Sequence, residues 1–176
     1  MNAHLQMLLN WPTRAWLFIV AVACIAMMAF GVFYLQYYLG TEPCPMCIVQ
    51  RYAMVGIILW CLLGLSEKSP VRTLIMSWLV FLSAGFGAFV AARQTWLQWY
   101  PPEVVTCGRD FYGMIENFPL QRAVPMIFKG GGDCSKVDWT FLGGSIANWS
   151  FLVFSAIVIL MLALRWRDGL FRSTSA

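Results

Sequence analysis

Cys44 and Cys47 stand three residues apart in PCPMCIVQR, and Arg51 closes the same stretch. A thiol pair at this spacing closes a very small ring. It does little to staple a fold, because the entropy a crosslink removes grows with the loop it closes. Its usual chemistry is reversible exchange. Pro45 suits the first turn of a helix, which puts Cys44 near that helix's N-terminus. There the positive end of the macrodipole stabilises a thiolate. At helical spacing Cys44, Cys47 and Arg51 fall at i, i+3 and i+7, one stripe of the surface. Arg51 then lies about 6 Å beyond Cys47 along the axis. A cation placed so favours thiolate at Cys47 and offers hydrogen bonds to a carbonyl oxygen of a lipid-soluble oxidant such as a quinone. Its simpler reading is an arginine that snorkels to the headgroups.

The chain has six cysteines. Cys24 and Cys61 lie inside apolar runs and read as small apolar fillers. Cys107 and Cys134 belong to a long polar segment, and three glycines in GGGDC give Cys134 a loosely restrained approach. Zinc fits poorly. The Cys-x2-Cys pair matches half of a zinc site, but the sole histidine, His4, is remote and 26 residues separate Cys107 from Cys134. No metal is expected. The residues leave two readings open: structural disulfides that pin polar loops, or a redox pair working with a second pair.

The elements that hold these residues are set by composition. The chain is 60% hydrophobic and 11% charged, with a mean hydropathy of +0.69. Soluble domains are about 45–50% apolar and about 25% charged, so this chain has too little polar surface to coat a water-soluble globule. Four stretches are long enough to cross a bilayer: 15–35, 45–65, 73–92 and 143–164. Each must be helical, since an open strand leaves backbone groups unpaired in lipid. The expectation is an all-α, single-domain bundle of four membrane helices over residues 1–176, with outer loops at 36–44 and 93–142. The first run lacks a small-x-small cleavage site and reads as a span, not a removed leader.

Charge orients the bundle. Arg14, Lys68, Arg72, Arg165, Arg167 and Arg172 gather at one end of the spans. In the segment 93–142, basic residues are balanced by Glu103, Asp110, Glu116, Asp133 and Asp138. The positive-inside rule puts both termini in the cytoplasm and both loops outside. This distribution accounts for the net charge of +4, and no nucleic-acid partner is expected. Cys44, Cys47, Cys107 and Cys134 all fall on the outer side of a topology drawn from Lys and Arg alone, where an oxidising compartment preserves disulfides. SAGFGAFVAA and GGSIANWS supply small residues for close helix contact. Trp11, Trp16, Trp96, Trp99, Tyr100, Trp139 and Trp149 lie near span ends and read as interfacial anchors. Pro119 and Pro125 break the apolar part of the long loop, which reads as one or two short surface helices.

The whole pattern resembles the DsbB family of disulfide bond formation proteins: four spans, PCPMCIVQR opening the second, WLQWYP closing the third, and Cys107 and Cys134 in the long outer loop. The resemblance implies a multi-pass protein of the bacterial inner membrane that reoxidises a periplasmic dithiol carrier of the DsbA type. Electrons would pass to the membrane quinone pool, ubiquinone or menaquinone. It implies redox disulfides Cys44–Cys47 and Cys107–Cys134, with Cys107 attacked by the carrier, Cys134 attacking Cys44, and Cys47 left facing the quinone beside Arg51. The family's best-known pattern has histidine at the position of Gln94. Glutamine donates a hydrogen bond but carries no charge, so Arg51 alone is the expected quinone-binding residue. The competing reading is a non-catalytic scaffold with structural disulfides. A thiol reductase passing electrons outward is disfavoured, because no CxxC lies on the cytoplasmic side.

Overall fold

A computed structural model of the chain describes residues 11–67, 69–101, 135, 137 and 139–173. Four helices within them are long and apolar enough to cross a membrane. Helix α1 (Thr13–Ala29) continues directly into a π-helical segment (Phe30–Tyr38). α2 runs from Pro45 to Ser66, α3 from Pro70 to Trp99, and α4 from Ile146 to Ser173. The chain is an all-α membrane bundle. A two-stranded antiparallel hairpin, β1 (Thr140–Phe141) and β2 (Gly144–Ser145), leads into α4.

Prolines start two of the helices. Pro45 and Pro70 occupy the first turns of α2 and α3, where a missing N–H costs nothing and φ is already helical. Gly40, at φ +66°, turns the chain between α1 and α2. In the hairpin, Leu142 and Gly143 both have positive φ, 49° and 78°. That is the sign pattern of a type I′ turn, whose twist matches the paired strands.

Successive helices pack on one another, α1 on α2, α2 on α3 and α3 on α4. The shared core includes Leu17, Ile57, Val80, Phe154 and Met161, together with Cys24 and Cys61. Phe18, Val22, Val55, Leu82, Phe89 and Ile159 point outward and are exposed, a surface suited to lipid and not to water. Gly87 makes the α3–α4 approach possible: a Cβ there would lie 2.5 Å from Phe154 Cε1. The Arg167 guanidinium ties α4 to the start of α1, donating to the Trp11 carbonyl and to Thr13 Oγ1, both at 2.7 Å.

Several boundaries differ from the hydropathy reading: α1 with its π-helical segment covers Thr13–Tyr38, not 15–35, and α4 covers Ile146–Ser173, not 143–164. α3 begins at Pro70, not Thr73, and runs to Trp99, seven residues past Ala92. Arg93, Gln94 and Gln98 lower the apolar average without breaking the backbone ladder, so the helix outlasts its hydrophobic stretch. At 30 residues it is about 45 Å long, close to a bilayer with its headgroups. The outer loop expected to start at residue 93 therefore begins beyond α3. The surface helices expected between Pro102 and Cys134 fall outside the described residues.

Candidate redox site

The N-terminus of α2 builds the dithiol. Cys44 is the N-cap residue, with extended backbone (φ −65°, ψ 159°), and its sulfur accepts the Cys47 N–H at 3.4 Å. Sulfur thus takes the place an oxygen usually fills at a helix start. One turn of helix then brings the Cys47 sulfur to 3.0 Å from that of Cys44, close enough for the Cys44 thiol to donate to it. Cys44 is buried and Cys47 half-buried. The two sulfurs are about 1 Å farther apart than in a disulfide.

α3 supplies what the sequence reading assigned elsewhere. Gln94, almost fully buried, aims its amide nitrogen at both sulfurs, 3.4 Å from Cys44 Sγ and 3.3 Å from Cys47 Sγ. Its carbonyl oxygen accepts the Gln50 amide at 2.8 Å. Gln50 is also buried. The same Gln94 oxygen is reached by the Cys47 thiol at 3.7 Å, so Gln94 meets Cys47 through both ends of its amide, with the N–H groups nearer to sulfur. An N–H aimed at sulfur stabilises the anion released when an S–S bond is cut. The extension of α3 past Ala92 matters here, because Gln94 lies on those added residues. Neither glutamine stood among the expected site residues. Spacing to the cysteines gives no hint of Gln94, whose one signal is its match to the histidine position of the resembled family, while the i, i+3 offset from Cys47 points to Gln50.

Arg51 is held by hydrogen bonds to the first span. Its guanidinium reaches across to α1, donating to Gln36 Oε1 at 2.8 Å and to the Gly31 carbonyl at 3.2 Å. Both acceptors lie in the π-helical segment, a geometry often found at functional sites. Two hydrogen bonds offset part of the cost of a cation within a span, and they leave other guanidinium N–H groups available, since arginine has five.

Cys47, Gln50 and Arg51 share one wall of a cavity of about 330 Å³. Met27, Leu35, Met54, Ile146 and Val153 make most of it apolar. Trp139, Phe141 and Trp149 border it as well. Trp139 stacks on Phe141, with ring centroids 6.0 Å apart, and meets Phe30 edge-on at 5.9 Å. Trp149 Nε1 donates to the Phe141 carbonyl at 3.0 Å. Trp139 and Trp149, read as interfacial anchors, therefore also line the cavity. Its lining joins an apolar surface to a guanidinium and a thiol on one wall, a set of groups suited to an apolar molecule that carries a carbonyl oxygen. Cys107 and Cys134 lie outside the described residues.

The family model for disulfide bond formation protein DsbB matches residues 13–164. The chain is 65% identical over 160 residues to disulfide bond formation protein B of Albidiferax ferrireducens, covering 90% of each chain. It is 58% identical over 167 residues to the protein of that name from Acidovorax sp. (strain JS42), covering 92% of this chain and 94% of the other. With the protein of that name from Aromatoleum aromaticum it shares 49% over 162 residues, 90% of this chain and 97% of the other. The dithiol at the head of a membrane helix thus belongs to a disulfide bond formation protein, a member of the DsbB family.

Proposed function

We propose that the protein is a quinone-dependent thiol oxidase of the bacterial inner membrane, a single four-span domain that reoxidises a periplasmic dithiol carrier of the DsbA type. The observation that carries this reading is the position of Cys47, which touches both its partner thiol and an apolar cavity that also holds Arg51. The Lys and Arg bias supports both termini in the cytoplasm, which puts the dithiol at the outer boundary.

Two thiol–disulfide exchanges bring the electrons inward. The carrier's thiolate attacks Cys107 Sγ; the Cys107–Cys134 bond breaks and Cys134 leaves as thiolate. The carrier's second thiol resolves the mixed disulfide, and the carrier departs oxidised. Cys134 then attacks Cys44, the Cys44–Cys47 bond breaks, and Cys47 leaves as thiolate. Cys107 displaces Cys44 from the transient Cys134–Cys44 link, which restores the outer disulfide and leaves Cys44 and Cys47 reduced. Gln94 faces the charge as it moves between these sulfurs. The glycines before Cys134 suit it to the reach this relay needs. A membrane quinone, held by Arg51 against the Cys47 wall, supplies the acceptor for the two electrons and two protons that the dithiol releases on closing to a disulfide. The apolar cavity keeps bulk water from Cys47, and Arg51, anchored on α1, orients its free N–H groups toward a carbonyl oxygen.

Differential alkylation tests the reading. After mild reduction, added ubiquinone or menaquinone should re-form the Cys44–Cys47 bond within seconds, and Arg51→Ala should slow this step more than exchange with the carrier. A dithiol indifferent to quinone would leave the structural scaffold as the better account. Equal loss in both half-reactions of Arg51→Ala would reduce Arg51 to a folding role.

A further inference from the structure

The opposite end of the bundle has a cleft of its own. It measures about 640 Å³ and lies between the start of α1, the first turns of α3 and the last described turns of α4. Arg14 and Arg165 line it with Thr73, Leu74, Ser77 and Met161. None of these residues touches the dithiol site, which sits at the other end of α3.

The charges of this cleft do not cancel. Asp168 also borders it, but its carboxylate is taken by Arg167 at 2.7 Å and by the Thr13 hydroxyl at 3.4 Å. Glu67 is bridged to Arg72 at 3.3 Å. Arg14 donates only to the neutral Glu67 carbonyl among the described residues. Arg165 stacks its guanidinium carbon 5.7 Å from the centre of the Trp78 ring. Its Nε is buried with no hydrogen-bond partner among the described residues. A buried donor left so is costly, and a small turn of the side chain toward an anionic oxygen in the cleft would relieve it. Two backbone N–H groups of the first turn of α3, at Val71 and Arg72, also lack intrahelical partners by their position. Ser69 makes no side-chain cap for them.

We propose that this cleft binds the phosphodiester of an anionic phospholipid, with Arg14 and Arg165 as its two cationic contacts. A lipid phosphate fits better than a free one because the cleft is half apolar: Leu74, Met161 and Leu164 continue its wall into the span, where acyl chains lie. Basic pockets between membrane helices take anionic headgroups on the same grounds. Arginine suits this role, since its planar fork matches two phosphate oxygens at once.

The test uses the full-length protein in uncharged detergent, titrated with phosphatidylglycerol, phosphatidylcholine or inorganic phosphate and read by native mass spectrometry and thermal unfolding. Phosphatidylglycerol should remain bound and raise the unfolding midpoint; phosphatidylcholine and inorganic phosphate should do neither. Arg165→Gln should weaken phosphatidylglycerol about tenfold, the size of one charge-assisted hydrogen bond at a wet boundary. Arg14→Gln serves as the second variant should the first fail to fold. Alkylation of Cys47 in the same samples reports that the distant end is intact. Inorganic phosphate acting as strongly as the lipid would overturn the lipid source. Phosphatidylglycerol binding unchanged in a folded variant of either arginine would overturn the site, and a failure here leaves the oxidase reading untouched.

Discussion

Two pairs of cysteines occupy one bundle, and they differ in what surrounds them. Cys44 and Cys47 sit where a helix begins, with a backbone N–H and the Gln94 amide turned toward sulfur. Cys24 and Cys61 sit in the aliphatic core beside Leu17, Ile57, Val80 and Met161. Both pairs are largely screened from water, so burial alone does not distinguish them. The difference is polar geometry: at the head of α2 a charge on sulfur would be met by donors, while in the core it would be met by methyl groups.

That contrast breaks first if the wrong pair proves to matter. Cys47→Ser is expected to lower quinone reduction by about a thousandfold or more, measured by the absorbance of the quinone, because no other thiol among the described residues of the cavity wall replaces it. Cys61→Ala should leave the same rate within about twofold. A comparable loss in both variants would end the distinction. Next in size is Gln94→Leu. Removing hydrogen bonds to a charged sulfur is worth about 1.5–3 kcal/mol, so alkylation of Cys47 at neutral pH should slow by about 10- to 100-fold. Gln50→Leu should produce a smaller slowing in the same assay, since it removes one bond to Gln94 and leaves the donor itself in place.

Packing variants sharpen the comparison from the other side. Gly87→Ala drives a methyl group into the Phe154 ring and should cost about 1–3 kcal/mol in a denaturant titration in detergent, with Cys47 alkylation unchanged in the fraction that stays folded. Smallest is the stability effect of Cys61→Ala. Deleting one sulfur from a packed core should cost about 1 kcal/mol in that titration. A stabilised protein would show that the thiol is strained there.

Much of this was legible before any coordinates. Four apolar runs define the spans because lipid demands length and hydrophobicity together, and CPMC with Pro45 marks the start of α2 by local rules alone. Gln94 was not legible as a sulfur partner. Its role depends on α2 and α3 packing side by side, which joins residues 47 apart in sequence. The reach of Arg51 to Gln36 and Gly31 has the same origin, for a side chain this long chooses its acceptors from the neighbouring helix. The end of α3 was misplaced because hydropathy reports where lipid stops, while the helix stops where hydrogen bonding does. The hairpin escaped notice since Leu142 is an unusual occupant of a left-handed turn position.

The seam between α1 and α4 has a consequence for traffic. These helices are stitched through Arg167 at the end where the chain begins and finishes, and they share the core around Leu17 and Met161. The cavity beside Cys47 draws walls from both of them, and Trp139 and Phe141 border it. A hydrophobic guest would therefore slip in sideways from the bilayer with its tail still in the lipid, and could be exchanged without disturbing whatever is docked on the outer surface.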